Sequence, residues 1–194
     1  MKTPELVVVG TSLGGLRALQ ILLGAMPKTF ARPIVVVQHR GRGLDGALAG
    51  LLAESCPLPV CEPEDKDVLV GGRVYVAPGD YHLLIEPGSI ALSTEGAVQH
   101  ARPSIDVLFE SAADAYGDGV LAVVLTGASS DGAAGVAEVK RQGGRVIVED
   151  PRTAESRMMP ASAIAAANVD YVLPLEAIAG QVVALCANVE PSRG

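Results

Sequence analysis

Three side chains able to do hydrolytic chemistry each follow a strongly apolar run: Ser12 after residues 6–9, His39 after residues 34–37, and Asp131 after residues 120–125. A serine hydroxyl is a weak nucleophile until a base takes its proton. An imidazole is such a base near neutral pH, and a carboxylate fixes its tautomer and stabilises the imidazolium that forms. Each residue also has a plain structural reading. Asp131 could simply cap the helix that follows it, and His39 could be a loop histidine at a strand end. Ser12 lies in Gly10-Thr11-Ser12-Leu13-Gly14-Gly15. This is the strand–turn–helix setting of a nucleophile elbow, but equally of an anion cradle or an ordinary tight turn. It matches neither G-x-G-x-x-G, since Ser12 holds the second glycine position, nor the Gly-Lys-Ser/Thr ending of a P-loop.

The elements that would hold these residues follow from periodicity. Residues 6–9, 34–37, 74–76, 120–125, 145–148 and 171–173 read as buried strands. The expected helices begin after Gly15 and cover residues 44–53, 105–113, 132–142, 161–167 and 175–187. In the first helix Leu16, Leu19, Leu22 and Leu23 form the expected inward face, with Arg17 and Gln20 outward. Ser104 is the expected cap of the helix carrying Ile105, Leu108, Phe109, Ala112 and Ala113 inward. Residues 82–86 and 90–93, joined at Pro87-Gly88, read as a hairpin at the margin of the sheet. Apolar strands alternating with helices imply an α/β fold, a doubly wound and mainly parallel sheet flanked by helices, with a small antiparallel hairpin. In such a sheet ligands bind beyond the carboxyl ends of the strands. Ser12, His39 and Asp131 all fall on that edge.

Composition narrows the function classes. The 194 residues fit one domain with a substantial core. A net charge of −7 argues against nucleic acid or an anionic membrane as the main partner, and Arg40 and Arg42 read as a solvated loop. No run approaches the roughly 20 apolar residues of a membrane span, and the N-terminus lacks a signal-peptide core. Cys56, Cys61 and Cys186 have no metal-binding or disulfide spacing, and His39, His82 and His100 are dispersed. The expectation is a cytoplasmic protein with reduced thiols, no metal and no cofactor. His82 and His100 are weaker base candidates than His39, because they lie in the hairpin-rich section. The order Ser…His…Asp departs from the Ser…Asp/Glu…His order of α/β-hydrolases.

Five blocks carry a resemblance: residues 10–15, Gln38-His39, residues 74–82 ending Ala77-Pro78-Gly79-Asp80-Tyr81-His82, residues 102–109 beginning Arg102-Pro103-Ser104-Ile105-Asp106, and residues 125–135 around Asp131. In this order they resemble the catalytic domains of bacterial chemotaxis protein-glutamate methylesterases of the CheB type, over about residues 6 to 185. The resemblance implies hydrolysis of γ-glutamyl methyl esters on the cytoplasmic helices of chemoreceptors, with release of methanol, and in many members deamidation of receptor glutamine. It also implies nucleophile, base and orienting carboxylate at Ser12, His39 and Asp131. The chain departs from the family pattern at Leu13, where a serine or threonine is usual. It departs again at Ala128 and Ser129, where the pattern has methionine and glycine. Residues 1–194 are expected to be one methylesterase domain without the receiver domain that such proteins normally carry, and so insensitive to phosphodonors. Two other expectations compete with receptor demethylation: an esterase or amidase for another substrate, and a non-catalytic interaction module of the same fold. A dinucleotide-binding module is disfavoured, because His39 stands where an acidic residue would end the second strand.

Overall fold

The computed structural model describes residues 2–40 and 47–187. Seven strands form one sheet in the order β3-β4-β2-β1-β7-β8-β9, and every adjacent pair is parallel. They are β1 (Leu6–Thr11), β2 (Ile34–Gln38), β3 (Val60–Cys61), β4 (Val74–Val76), β7 (Val120–Val124), β8 (Arg145–Glu149) and β9 (Tyr171–Leu173). The helices are α1 (Gly15–Gly24), α2 (Ala47–Ala53), α3 (Ile105–Tyr116), α4 (Ala133–Arg141), α5 (Met158–Ala166) and α6 (Leu175–Cys186). The continuous apolar runs are explained by burial on both faces. Val7, Val9, Ile34 and Val36 join Leu19, Leu22 and Leu23 of α1 and Ile178 of α6 in one core. Their neighbours Leu6, Val8, Val35 and Val37 join Ile105, Leu108 and Phe109 of α3 in the other. Alternate residues of one strand therefore feed two separate layers.

Sequence expectation and structure differ at identifiable places. The hairpin, β5 (His82–Glu86) with β6 (Ser89–Ser93), is a separate two-stranded sheet rather than a margin of the large one. Its inner residues Leu83, Ile85 and Ile90 pack in the α3 core, and Ser111 of α3 accepts the Ile85 N–H through its hydroxyl at 3.0 Å. The edge strand β3 was not expected, since two residues between prolines show no periodicity. Helix α5 begins at Met158 rather than 161, because Pro160 lies in a first turn whose N–H groups need no helical partner. Leu16 is not a core residue. It is 38% exposed, and Ala18 takes its place inside. Arg42 and residues 44–46 of the expected second helix lie outside the described residues.

The strand order positions the chemistry. From β1 the chain winds outward through β2 to the edge strand β3, steps back to β4 between them, then returns to lay β7 against the other side of β1. The reversal falls between β1 and β7, where the connections diverge and leave a crevice above the carboxyl ends.

Candidate active site

Ser12 follows β1 directly. Its N–H donates to the Thr126 carbonyl beyond β7 at 2.9 Å, and its carbonyl accepts from Gly15 N–H at 2.9 Å. The turn is therefore closed and tied to the neighbouring strand. Gly14 has φ 79° and is the N-cap of α1, a left-handed conformation natural to glycine. Gly15 is constrained by space instead. A Cβ there would lie 1.8 Å from Gln38 Oε1 and 2.6 Å from Thr11 Oγ1.

That close approach lets Gln38 join the two strand ends. Its Nε2 donates to the carbonyls of both Ser12 and His39, each at 2.8 Å, while His39 N–H donates to Thr11 carbonyl at 3.0 Å. Thr126 fastens the turn from the other side. Its hydroxyl donates to Leu13 carbonyl at 2.9 Å and accepts from Ser156 N–H at 2.8 Å. Its own N–H is received by the buried carboxylate of Glu149 at 2.8 Å. Gln38 and Thr126 appeared in sequence only as parts of apolar-adjacent blocks. Their roles depend on contacts between strands that periodicity does not reveal.

The ring of His39 is held by Asp131, with Nε2 2.6 Å from Oδ2. That carboxylate is fully buried and has three further donors. Ser104 Oγ and Asp106 N–H reach Oδ1 at 2.9 and 3.0 Å, and Ile105 N–H reaches Oδ2 at 2.7 Å. Burial by itself raises the Asp131 pKa. The His39 hydrogen bond, the amides of Asp106 and Ile105 and the His39 charge outweigh it and hold the carboxyl below its ordinary 3.8. Asp131 is thus a carboxylate at neutral pH. It does not cap the helix that follows it, whose N-cap is Gly132. It sits instead at the N-terminus of α3, where a negative charge is favoured.

The relation is reciprocal. Asp106, in the first turn of α3, accepts at Oδ1 from Gly132 and Gly135 N–H at 2.9 and 2.8 Å, at the start of α4. Its Oδ2 accepts from Gln99 Nε2 at 2.7 Å. Burial, and next among the raising effects the charge of Asp131, push Asp106 up to about 6 despite those amides.

Ser12 and His39 line one open cleft together with Leu13, Leu16, Arg17, Gln20 and Gln38. Ser12 Oγ makes no hydrogen bond to the His39 ring in the structure, and the link between the two runs through Gln38 and the Thr11 carbonyl. Because Nε2 is engaged by Asp131, the nitrogen left for a proton from elsewhere is Nδ1. Leu13 is 56% exposed at the cleft, Ala128 is exposed, and Ser129 is half-buried with its hydroxyl unpartnered. His82 lies outside the cleft, buried beside Ser104, and His100 is exposed. Among the described residues no group of three His, Cys, Asp or Glu side chains could hold a metal ion.

Comparison with known proteins gives concordant results. Residues 7–182 match the family model described as CheB methylesterase. The chain is 40% identical over 189 residues to an Oleidesulfovibrio alaskensis protein named protein-glutamate methylesterase/protein-glutamine glutaminase 2, covering 95% of this chain and 53% of that protein. A Leptospira interrogans protein whose name proposes the same two activities is 46% identical, with 95% of this chain and 96% of the relative covered. Among solved structures, the Thermotoga maritima CheB methylesterase catalytic domain superposes with a TM-score of 0.89 at 38% identity, covering 95% of this chain and all of that one.

Proposed function

The chain belongs to the CheB methylesterase family, and from that premise we propose that it hydrolyses γ-glutamyl methyl esters in chemoreceptor proteins, with Ser12 as nucleophile. The observation that carries the reading is His39 bonded at 2.6 Å to a buried, four-fold hydrogen-bonded Asp131 and sharing a cleft with Ser12. A carboxylate so held fixes the imidazole with its proton on Nε2 and leaves the Nδ1 lone pair as the base.

In the proposed reaction Ser12 Oγ attacks the ester carbonyl carbon while Nδ1 of His39 takes the hydroxyl proton. Negative charge gathers on the former carbonyl oxygen. The Ser12 and Gly15 amides already have acceptors, so the turn amides suited to that oxyanion are those of Leu13 and Gly14. Collapse expels the methoxy group, which takes the proton from His39 and leaves as methanol. Water, deprotonated by His39, then splits the glutamyl–Ser12 ester, giving a glutamate side chain and free Ser12. With glutamine the same steps release ammonia. The reading draws on a cleft that is open rather than enclosed, as a side chain borne on another protein requires.

The test is methanol release from methylated receptor membranes, with Ser12→Ala as control and ammonia release measured for the glutamine arm. Methanol released at the control rate would reject the proposal. A second reading, an esterase for another carboxyl ester, draws on the exposed apolar side chain of Leu13 at the cleft. It predicts Ser12-dependent hydrolysis of small apolar esters without methanol release from receptors.

A further inference from the structure

Two of the sequence blocks, residues 74–82 and 102–109, contribute nothing to the cleft, yet the structure joins them behind Asp131. Arg102 of the second block binds Asp80 of the first, its Nη2 2.6 Å from Oδ1. Beside this pair the ring of His82, 2% exposed, lies between two backbone groups. Its Nε2 is 3.0 Å from the Gly96 carbonyl, and its Nδ1 is 3.3 Å from Ser104 N. A carbonyl can only accept and an amide N–H can only donate, so the partners assign the tautomer: the proton is on Nε2, and Nδ1 accepts from Ser104.

Ser104 is the N-cap of α3, in extended conformation with φ −105° and ψ 139°. An N-cap amide points away from its own helix, and buried without a partner it would be costly. His82 supplies that partner. The Ser104 hydroxyl in turn accepts from Val107 N–H at 3.5 Å and donates to Asp131 Oδ1 at 2.9 Å. A continuous path thus runs from the Gly96 carbonyl through His82, Ser104 and Asp131 to His39. Three of the four donors on Asp131 come from Ser104 and the two residues after it, so the place of Ser104 sets the place of the carboxylate.

We propose that His82 is a positioning residue for the reaction, holding Ser104 so that Asp131 stays aligned on His39. This rests on the reading of His39 as base and Asp131 as its orienter. His82 touches no reacting atom, and its effect passes through the Ser104 amide alone.

Two substitutions separate that amide bond from the rest of the ring. In His82→Asn the side-chain oxygen can stand where Nδ1 stood, keeping the Ser104 bond and losing the Gly96 bond. In His82→Gln the amide nitrogen can stand where Nε2 stood, keeping the Gly96 bond and losing the Ser104 bond. The readouts are kcat and KM for ester hydrolysis and the proton resonance of His39 Hε2, whose short bond to Asp131 places it far downfield. His82→Asn is expected to keep kcat within about threefold and leave the resonance in place. His82→Gln is expected to lower kcat by about 10- to 100-fold, change KM less than threefold and move the resonance upfield. Wild-type kcat in His82→Gln, or equal losses in both variants with the resonance unmoved, overturns the proposal. If His82→Gln does not fold, Ser104→Ala breaks the same path one bond further on, and an unmoved resonance there overturns it too. The resonance needs no substrate, so an enzyme inactive on receptor esters would refute the proposed function without touching this test.

Discussion

Asp131 illustrates how the meaning of a residue changes once its neighbours are known. By sequence it precedes a helix and looks like that helix's cap. In the fold its carboxylate turns to α3 and His39, because the β1–β7 reversal brings those groups together. Its residue type and its position at a strand end were legible. Its pairing with His39 was expected; its other donors, the Ser104 hydroxyl and the Ile105 and Asp106 amides, were not, since they come from a segment 25 to 27 residues away. Asp131→Asn should fold with some loss of stability, because an amide oxygen at the Oδ1 position can still accept from the Ser104 hydroxyl and the Asp106 amide, while the Ile105 amide loses its acceptor. It should lower kcat by about 10³- to 10⁴-fold, since the amide nitrogen would face Nε2 and favour the wrong imidazole tautomer. Rate measurement beside a thermal melt checks both halves. In the double variant with Ser12→Ala the further loss should be small, because residues acting as one unit do not contribute additively.

At the scale of elements, α3 and α4 exchange carboxylates: Asp131, before α4, holds the start of α3, and Asp106, in α3, holds the start of α4. Periodicity gave both helices and the inward face of α3, but it carries no information on which side chains cross between helix ends. The arrangement has a pH consequence. Asp106 keeps its proton up to about 6 in the folded chain, against an ordinary 3.8. Between those values the native state binds more protons than the unfolded one, so this group's contribution to stability falls as pH rises through that window. The charges behind the shift are Asp131 and Glu110. Relative to Asp106→Asn, the wild type should therefore gain about 1 kcal/mol on going from pH 7 to pH 5, measured by urea unfolding. A difference independent of pH would count against it. The turn before α1 gives a second prediction. In Gly15→Ala the new methyl group meets the Gln38 amide, which is bonded to both the Ser12 and His39 carbonyls. Hydrolysis should fall by about 10²-fold, and Gln38→Leu should reproduce the loss without a crowded turn.

Over the whole molecule, the doubly wound order follows from alternating apolar strands and helices, and the strand-end rule led to the crevice before any contact was known. The edge strand β3, the separation of the hairpin from the large sheet and the exposure of Leu16 were not legible, because they depend on what packs over a segment rather than on its own pattern. No helix among the described residues is long and apolar enough to cross a membrane, and the proposed steps require only water, so hydrolysis should persist in excess chelator. Loss of activity in chelator, restored by a divalent cation, would contradict that. The central claim, that Ser12 Oγ is a nucleophile activated by His39, is tested most directly by covalent trapping. Incubation with a fluorophosphonate should add one phosphonyl group per chain, and peptide mass spectrometry should find it on Ser12. The adduct should be absent from Ser12→Ala and form about 10²-fold or more slowly in His39→Gln. An adduct on another residue, or equal labelling of Ser12→Ala, would contradict the account.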